Sequence, residues 1–212
     1  MKDGGTYVPS DLAGTWTAHS LMCGTVEGWS RGTLTLDSAG SGTIVWENSD
    51  GISGTEDVTF TLAPDGKISE PGNEAFLGKM SQDKKMIVST DDWAPDLHAL
   101  TVLVKSGGTF APSSIEGTWH VHSLSSGGAE DDWVKGIMAL NSEGNGTISY
   151  QDSDAYSGTD DVSFLVQPDG KVLQGSDPNF DGTMRFDSNL LIGTNTWGNG
   201  VHAFSIAAKV SQ

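Results

Sequence analysis

The chain has little cysteine, little positive charge and no long apolar run. Cys23 is the one cysteine in 212 residues. A single thiol excludes an intrachain disulfide framework and a cysteine-rich metal site, since both need several sulfurs. Lys and Arg total 11 against 28 Asp and Glu, a formal net charge of −17. That field repels nucleic-acid phosphates and anionic membranes and favours cations or cationic partners. No apolar stretch approaches the roughly 20 residues of a membrane-spanning helix, so no membrane insertion is expected. Phosphate-binding loops, dinucleotide fingerprints and the Gly-x-Ser-x-Gly elbow are absent, as is the c-type haem attachment motif. The opening Met1-Lys2-Asp3-Gly4-Gly5-Thr6 is not a signal peptide and reads as a start that follows a removed leader. Few Lys, many Ser, Thr and Gly, and seven Trp lean toward a periplasmic or extracellular protein.

What is present is a repeat. Gly14-Thr15-Trp16 recurs as Gly117-Thr118-Trp119, and His19-Ser20-Leu21 as His122-Ser123-Leu124. From Trp29 onward the offset is a constant 104, pairing Trp29 with Trp133, Phe60 with Phe164, Trp93 with Trp197 and His98 with His202. Pro64-Asp65-Gly66-Lys67 matches Pro168-Asp169-Gly170-Lys171. Self-similarity this dense marks a tandem duplication. The expected division is one repeat over 11–105, a Gly/Ser/Pro-rich linker over 106–113 and a second repeat over 114–210.

No window carries sustained helical periodicity, and alternation of apolar and polar residues is general. The alternation predicts eight strands in the first copy. They lie near Gly14–Leu21, Trp29–Leu36, Gly42–Glu47, Asp57–Leu62, Lys67–Ser69, Phe76–Ser81, Lys85–Thr90 and Leu97–Lys105. The apolar face carries Leu34, Leu36, Ile44, Trp46, Val58, Phe60 and Leu62, then Phe76 and Met80. On the last two strands it is read as Met86, Val88, Leu100, Val102 and Val104, and in the second copy as Leu190, Ile192, Phe204 and Ile206. One apolar and one wet face indicates antiparallel strands. The expected fold is all-β, with two tandem eight-stranded antiparallel up-and-down barrels; a four-bladed propeller or a sandwich is the alternative. A Gly-x-Trp on the first strand and a closing strand ending in Lys resemble the calycin barrels, the lipocalins and avidins. The resemblance implies a barrel that carries a small ligand at its open end.

Short hairpin signals such as Asp65-Gly66 alternate with longer connections at 22–28, 48–56, 70–75 and 91–96, which an up-and-down order gathers at one end. The candidate ligand site lies there: His19, Trp29, Trp93 and His98, repeated as His122, Trp133, Trp197 and His202. These residues serve equally well as fold determinants, a rim Trp capping a core and a His bonded to a loop. Trp16 and His19 are an odd number of residues apart, so both face inward only if a bulge lies near Ala18.

Two histidines per copy could begin a zinc or copper site, but no third ligand is duplicated. Calcium is a candidate cofactor through oxygen-rich loops carrying Asp50 and Asp57, repeated as Asp154 and Asp161. The same residues also suit turn building. Exposed Trp faces with Asp at their edges suit sugars. Three readings follow. The first is a non-enzymatic module holding a small apolar, aromatic or sugar ligand at the rim of each repeat. The second is a barrel enzyme using His98 and His202 for acid–base proton transfer or cyclisation. The third is a secreted adhesive or structural pair. The absence of a recognisable catalytic constellation favours the first.

Overall fold

The computed structural model describes residues 6–128, 132–175 and 177–210, and the leader reading of Met1–Gly5 lies outside them. The chain divides between Ser106 and Gly107 into two units, each an antiparallel β-barrel.

The first unit contains β1 (Gly14–Gly24), β2 (Gly28–Leu36), β3 (Ser41–Asn48), β4 (Ser53–Thr59), β5 (Thr61–Leu62), β6 (Lys67–Glu70), β7 (Asn73–Met80), β8 (Met86–Ala94) and β9 (Leu97–Lys105). Its hydrogen-bonded order is β4-β3-β2-β1-β9-β8-β7-β6-β5. β4 and β5 form one strand interrupted at Phe60, whose N–H is given to the Gly40 carbonyl at 2.9 Å. The two ends of the order are therefore covalently continuous, and the sheet curls onto itself.

The second unit contains β10 (Gly117–Ser126), β11 (Asp132–Leu140), β12 (Asn145–Asp152), β13 (Ser157–Val166), β14 (Lys171–Gln174), β15 (Asp177–Met184), β16 (Leu190–Trp197) and β17 (Val201–Lys209). These eight strands close into a barrel in up-and-down order. In both units the last strand pairs with the first, β9 with β1 and β17 with β10. The tandem-barrel expectation holds, and the propeller and sandwich are excluded.

Closure corrects the facing of the last two strands. Leu103 lies opposite Ala18, and Ile87 opposite Leu103, so Ile87, Leu103 and, in the second barrel, Leu191 and Ala207 belong to the cores. Met86, Val88, Leu100, Val102 and Val104 alternate to the outside, as do Leu190, Ile192, Phe204 and Ile206. Both faces of these strands are apolar, so periodicity could not choose between them, and pairing with the first strand does.

The loops are also shorter than expected. β3 runs on to Asn48 and β4 begins at Ser53, while β8 reaches Ala94 and β9 starts at Leu97. Main-chain pairing continues where the apolar alternation lapses, because ladder hydrogen bonds do not need apolar side chains. The open end is therefore built of hairpins rather than long loops.

The other end is plugged by a strap that the repeat reading missed. Thr6-Tyr7-Val8-Pro9-Ser10-Asp11-Leu12 corresponds to Thr109-Phe110-Ala111-Pro112-Ser113-Ser114-Ile115. Each ends in a 3-10 turn, Pro9–Leu12 or Pro112–Ile115. Tyr7 N–H bonds Pro64 O at 3.3 Å and Phe110 N–H bonds Pro168 O at 3.2 Å. Both rings are buried, and each lies over the glycine of a hairpin, Gly66 or Gly170, where an added Cβ would come within 2.7 Å of the ring. The indole N–H of Trp16 donates to Leu12 O and that of Trp119 to Ile115 O, both at 2.8 Å. The closing-strand lysines lie over these indoles, Lys105 Nζ 5.1 Å from the Trp16 ring and Lys209 Nζ 5.2 Å from that of Trp119. Burial pushes both ammonium pKa values down, with Asp11 and Glu116 opposing the shift. The Gly-x-Trp motif and the terminal Lys thus form one plug in each barrel.

Phe110 stands inside the segment expected to be a linker, yet it belongs to the second core. Phe110→Ala should lower the stability of that barrel by about 3–5 kcal/mol, the usual cost of removing a buried ring. Guanidinium unfolding would show this, and an unchanged midpoint would mean that the strap is not part of the folded unit.

Candidate functional site

Regular pairing along β1, with no register shift against β2 or β9, fixes the direction of every side chain near the open end. Trp16 enters the core, and Ala18, Ser20 and Met22 follow it up the interior wall. They line a cavity of about 820 Å3 inside the first barrel. Its lower walls are apolar, with Leu34, Ile44, Val58, Ile68 and Leu103, and the half-buried rings of Phe60 and Phe76 pack at 5.1 Å across it. Higher up the lining turns polar. Ser20 Oγ bonds Thr101 Oγ1 at 2.7 Å, and Ser30 and Ser89 are buried beside them.

The open end is acidic. Glu56, Glu70, Glu74, Asp91 and Asp92 line it, with Asn73 among them. Asn73 Nδ2 donates to Glu70 Oε2 at 2.9 Å and to Asp91 Oδ1 at 3.1 Å, tying β6 to β8 beside the register shift at the end of β6. Trp46 Nε1 donates to Glu56 at 2.9 Å.

In the second barrel the corresponding rings are buried rather than half-buried. Phe164 and Phe180 are both buried, with ring centroids 5.7 Å apart in an edge-on contact. Phe180 lies against Gly193, where an added Cβ would stand 2.7 Å from its Cζ. Gly193 corresponds to Ser89 in the first barrel. There the wall carries a side chain, and Phe76 stays half-buried over Gly78. Both rings face the interior, and the glycine in place of serine lets Phe180 lie closer to the wall than Phe76.

The residues singled out from the sequence scatter around this cavity. Trp93 lines its opening and is 45% exposed. His98 lies opposite Cys23 and Asp92 in the ladders, on the outer side of the wall, and its Nδ1 is 2.6 Å from Asp92 Oδ1. No bulge occurs at Ala18, so His19 faces outward opposite Val102, four residues down the strand from His98. The expected meeting of His19 and His98 at the rim does not occur. Trp29 also faces outward, under the Arg31 guanidinium at 3.8 Å. In the second barrel His122, Trp133 and Lys135 share an outer face, where His120, His122 and Lys135 bound a shallow groove. His202 Nδ1 is 3.2 Å from Thr196 Oγ1, and Trp197 is partly exposed.

The loops carrying the calcium candidates Asp50 and Asp154 are closed by neighbouring side chains. Asn48 Oδ1 accepts the N–H groups of Asp50 and Ile52, and Asp152 Oδ1 those of Asp154 and Tyr156, which closes each turn. Asp57 and Asp161 lie further along, within β4 and β13. Among the described residues no three His, Cys, Asp or Glu side chains are grouped to hold a metal ion.

No protein-family model and no curated protein matches the chain. Solved structures resemble it weakly. A protein of unknown function of the DUF3598 family from Nostoc punctiforme is 11% identical, with 99% of this chain and 100% of that chain covered, at a TM-score of 0.33. Isotype 1 transferrin binding protein B from serogroup B Neisseria meningitidis is 9% identical, covering 86% of this chain and 52% of that one, at 0.40. Kievitone hydratase from Nectria haematococca is 7% identical, covering 100% and 93%, at 0.30. Likeness at this level leaves the site to be read from this chain's own residues.

The sequence reading also missed the Asn73–Asp91 tie, although the repeat carried a signal for it. The second barrel holds the same contact with the partners exchanged: Asn195 Nδ2 donates to Asp177 Oδ2 at 2.8 Å. Asn73→Asp should therefore destabilise the first barrel by about 1–3 kcal/mol, through carboxylates facing one another without a donor. Adding Asp91→Asn should recover most of that loss in thermal unfolding. A second expectation follows from the contact of Phe180 with Gly193: Gly193→Ser should displace the Phe180 ring and lower the stability of the second barrel by about 1–3 kcal/mol, while Ala at the same position should act in the same direction.

Proposed function

We propose that the first barrel is a small-ligand-binding module, and that its ligand enters through the end bearing Trp93. The observation that carries this reading is the open cavity of about 820 Å3, apolar below and polar above. Ligand pockets commonly measure about 300–1,000 Å3, with mostly apolar walls and a few polar groups that orient the occupant. The calycin resemblance, in the Gly-x-Trp and the closing lysine, points to the same use. The cavity lies in the first repeat, and the site is proposed there.

A second reading has one specific contact behind it. The His98–Asp92 pair at the rim has the geometry of an oriented acid–base group, and it would support proton transfer on a molecule held at the opening. In the second barrel Thr196 stands where the first has Asp92, 3.2 Å from His202 Nδ1.

Nile red, a neutral dye that brightens in apolar surroundings, should bind the whole chain at about one equivalent and quench tryptophan emission. Ser20→Trp and Ser89→Phe place bulk in the cavity and should each abolish the signal while leaving the far-ultraviolet circular dichroism unchanged. Undiminished dye binding by both variants would rule out the cavity as the binding site. His98→Ala should leave dye binding intact.

A further inference from the structure

The opening of the first cavity carries more negative charge than its hydrogen bonds engage. Glu70 and Asp91 share a single donor group, the Asn73 amide. A neutral amide cancels neither charge, and two carboxylates offer about eight acceptor positions between them. Glu74 stands on the same rim, and no lysine lines the cavity. Arg31, the guanidinium among the lining residues, lies over the Trp29 ring and 4.0 Å from Glu47.

Deeper in, two hydroxyls face the empty space. Ser30 is 8% and Ser89 4% exposed, both line the cavity, and neither hydroxyl bonds a protein group among the described residues. Both hydroxyls are therefore available to a molecule held in the cavity.

The second barrel is an internal control. Where the first has Glu70, Asn73, Glu74 and Asp91, the second has Gln174, Asp177, Pro178 and Asn195. Three negative charges in the first barrel stand against one in the second, where Phe164 and Phe180 are buried. Both barrels close with the same topology, so the fold itself does not require the added charge, which stands at the opening of the first cavity.

We infer that the occupant is an organic cation, a protonated primary or secondary amine on an apolar body; this rests on the ligand-binding reading above. The ammonium lies between Glu70 and Asp91, where its N–H groups meet free carboxylate lone pairs. The apolar body extends down toward Phe60 and Phe76, and a hydroxyl or ether oxygen on it would reach Ser30 or Ser89. A carboxylate-headed ligand of the same shape would meet like charge at the opening.

The test uses the full chain and three probes of equal length, octylammonium, octanol and octanoate, each displacing Nile red at neutral pH and low salt. Octylammonium should displace the dye at a concentration about tenfold or more below that of octanol, as one or two charge-assisted hydrogen bonds imply. Octanoate should be the weakest of the three, and added salt should narrow the spread. Glu70→Gln combined with Asp91→Asn, which installs the residues that the second barrel carries, should bring octylammonium to the level of octanol while the dye still binds. Equal displacement by amine and alcohol in the parent, or a preference that survives the double variant, overturns the amine assignment and leaves the cavity reading standing. Absence of dye binding in the parent overturns both.

Discussion

Main-chain pairing of the last strand with the first is the constraint on which each barrel depends. β9 meets β1 from Trp16 opposite Lys105 to Gly24 opposite Leu97 without a register shift. That one regular ladder removes the sheet's open edges and fixes which alternate residues point inward. Trp16, Ala18, Ser20 and Met22 line the interior because Lys105, Leu103 and Thr101 face them across the same ladder. His19 and His98 are turned outward by the same parity.

Two nearly equivalent barrels then reach different interiors. The plug is common to both: a strap, an indole donating to the strap's carbonyl, and a lysine over the indole. Above the plug they diverge. Gly193 lets Phe180 lie flat against the wall, whereas Ser89 occupies that wall in the first barrel and Phe76 remains at the side. Close packing makes a hydroxymethyl group sufficient to hold a ring off the wall. The first barrel encloses a cavity of about 820 Å3, and its opening carries Glu70, Glu74 and Asp91 where the second has Gln174, Pro178 and Asn195.

Much of the architecture was legible in the residues. The Gly-x-Trp recurrence, the Asp-Gly hairpins and the alternation along Leu34, Ile44 and Val58 identify the repeat, the strands and most of the core. The strap does not alternate as a strand does, and Gly, Ser and Pro make 106–113 read as linker; the burial of Tyr7 and Phe110 over matching glycines shows its role. The rim histidines and tryptophans stood out because both copies keep them, but identity between copies does not say which side of a wall a residue faces. Glu70, Asn73 and Asp91 differ between the copies, and that difference is what marks the cavity's opening.

The amino-acid pattern alone determined the duplication, the all-β class, the antiparallel meander and the acidic character of the chain. These follow from local periodicity, turn chemistry and composition, which act over a few residues at a time. Tertiary closure decided the facing of the last two strands, the separation of His19 from His98 and the deeper burial of Phe180 than of Phe76. Those outcomes depend on strands about 80 residues apart meeting in one register, and on whether a single glycine leaves room for a ring. Period-two alternation is silent on both when each face of a strand is apolar.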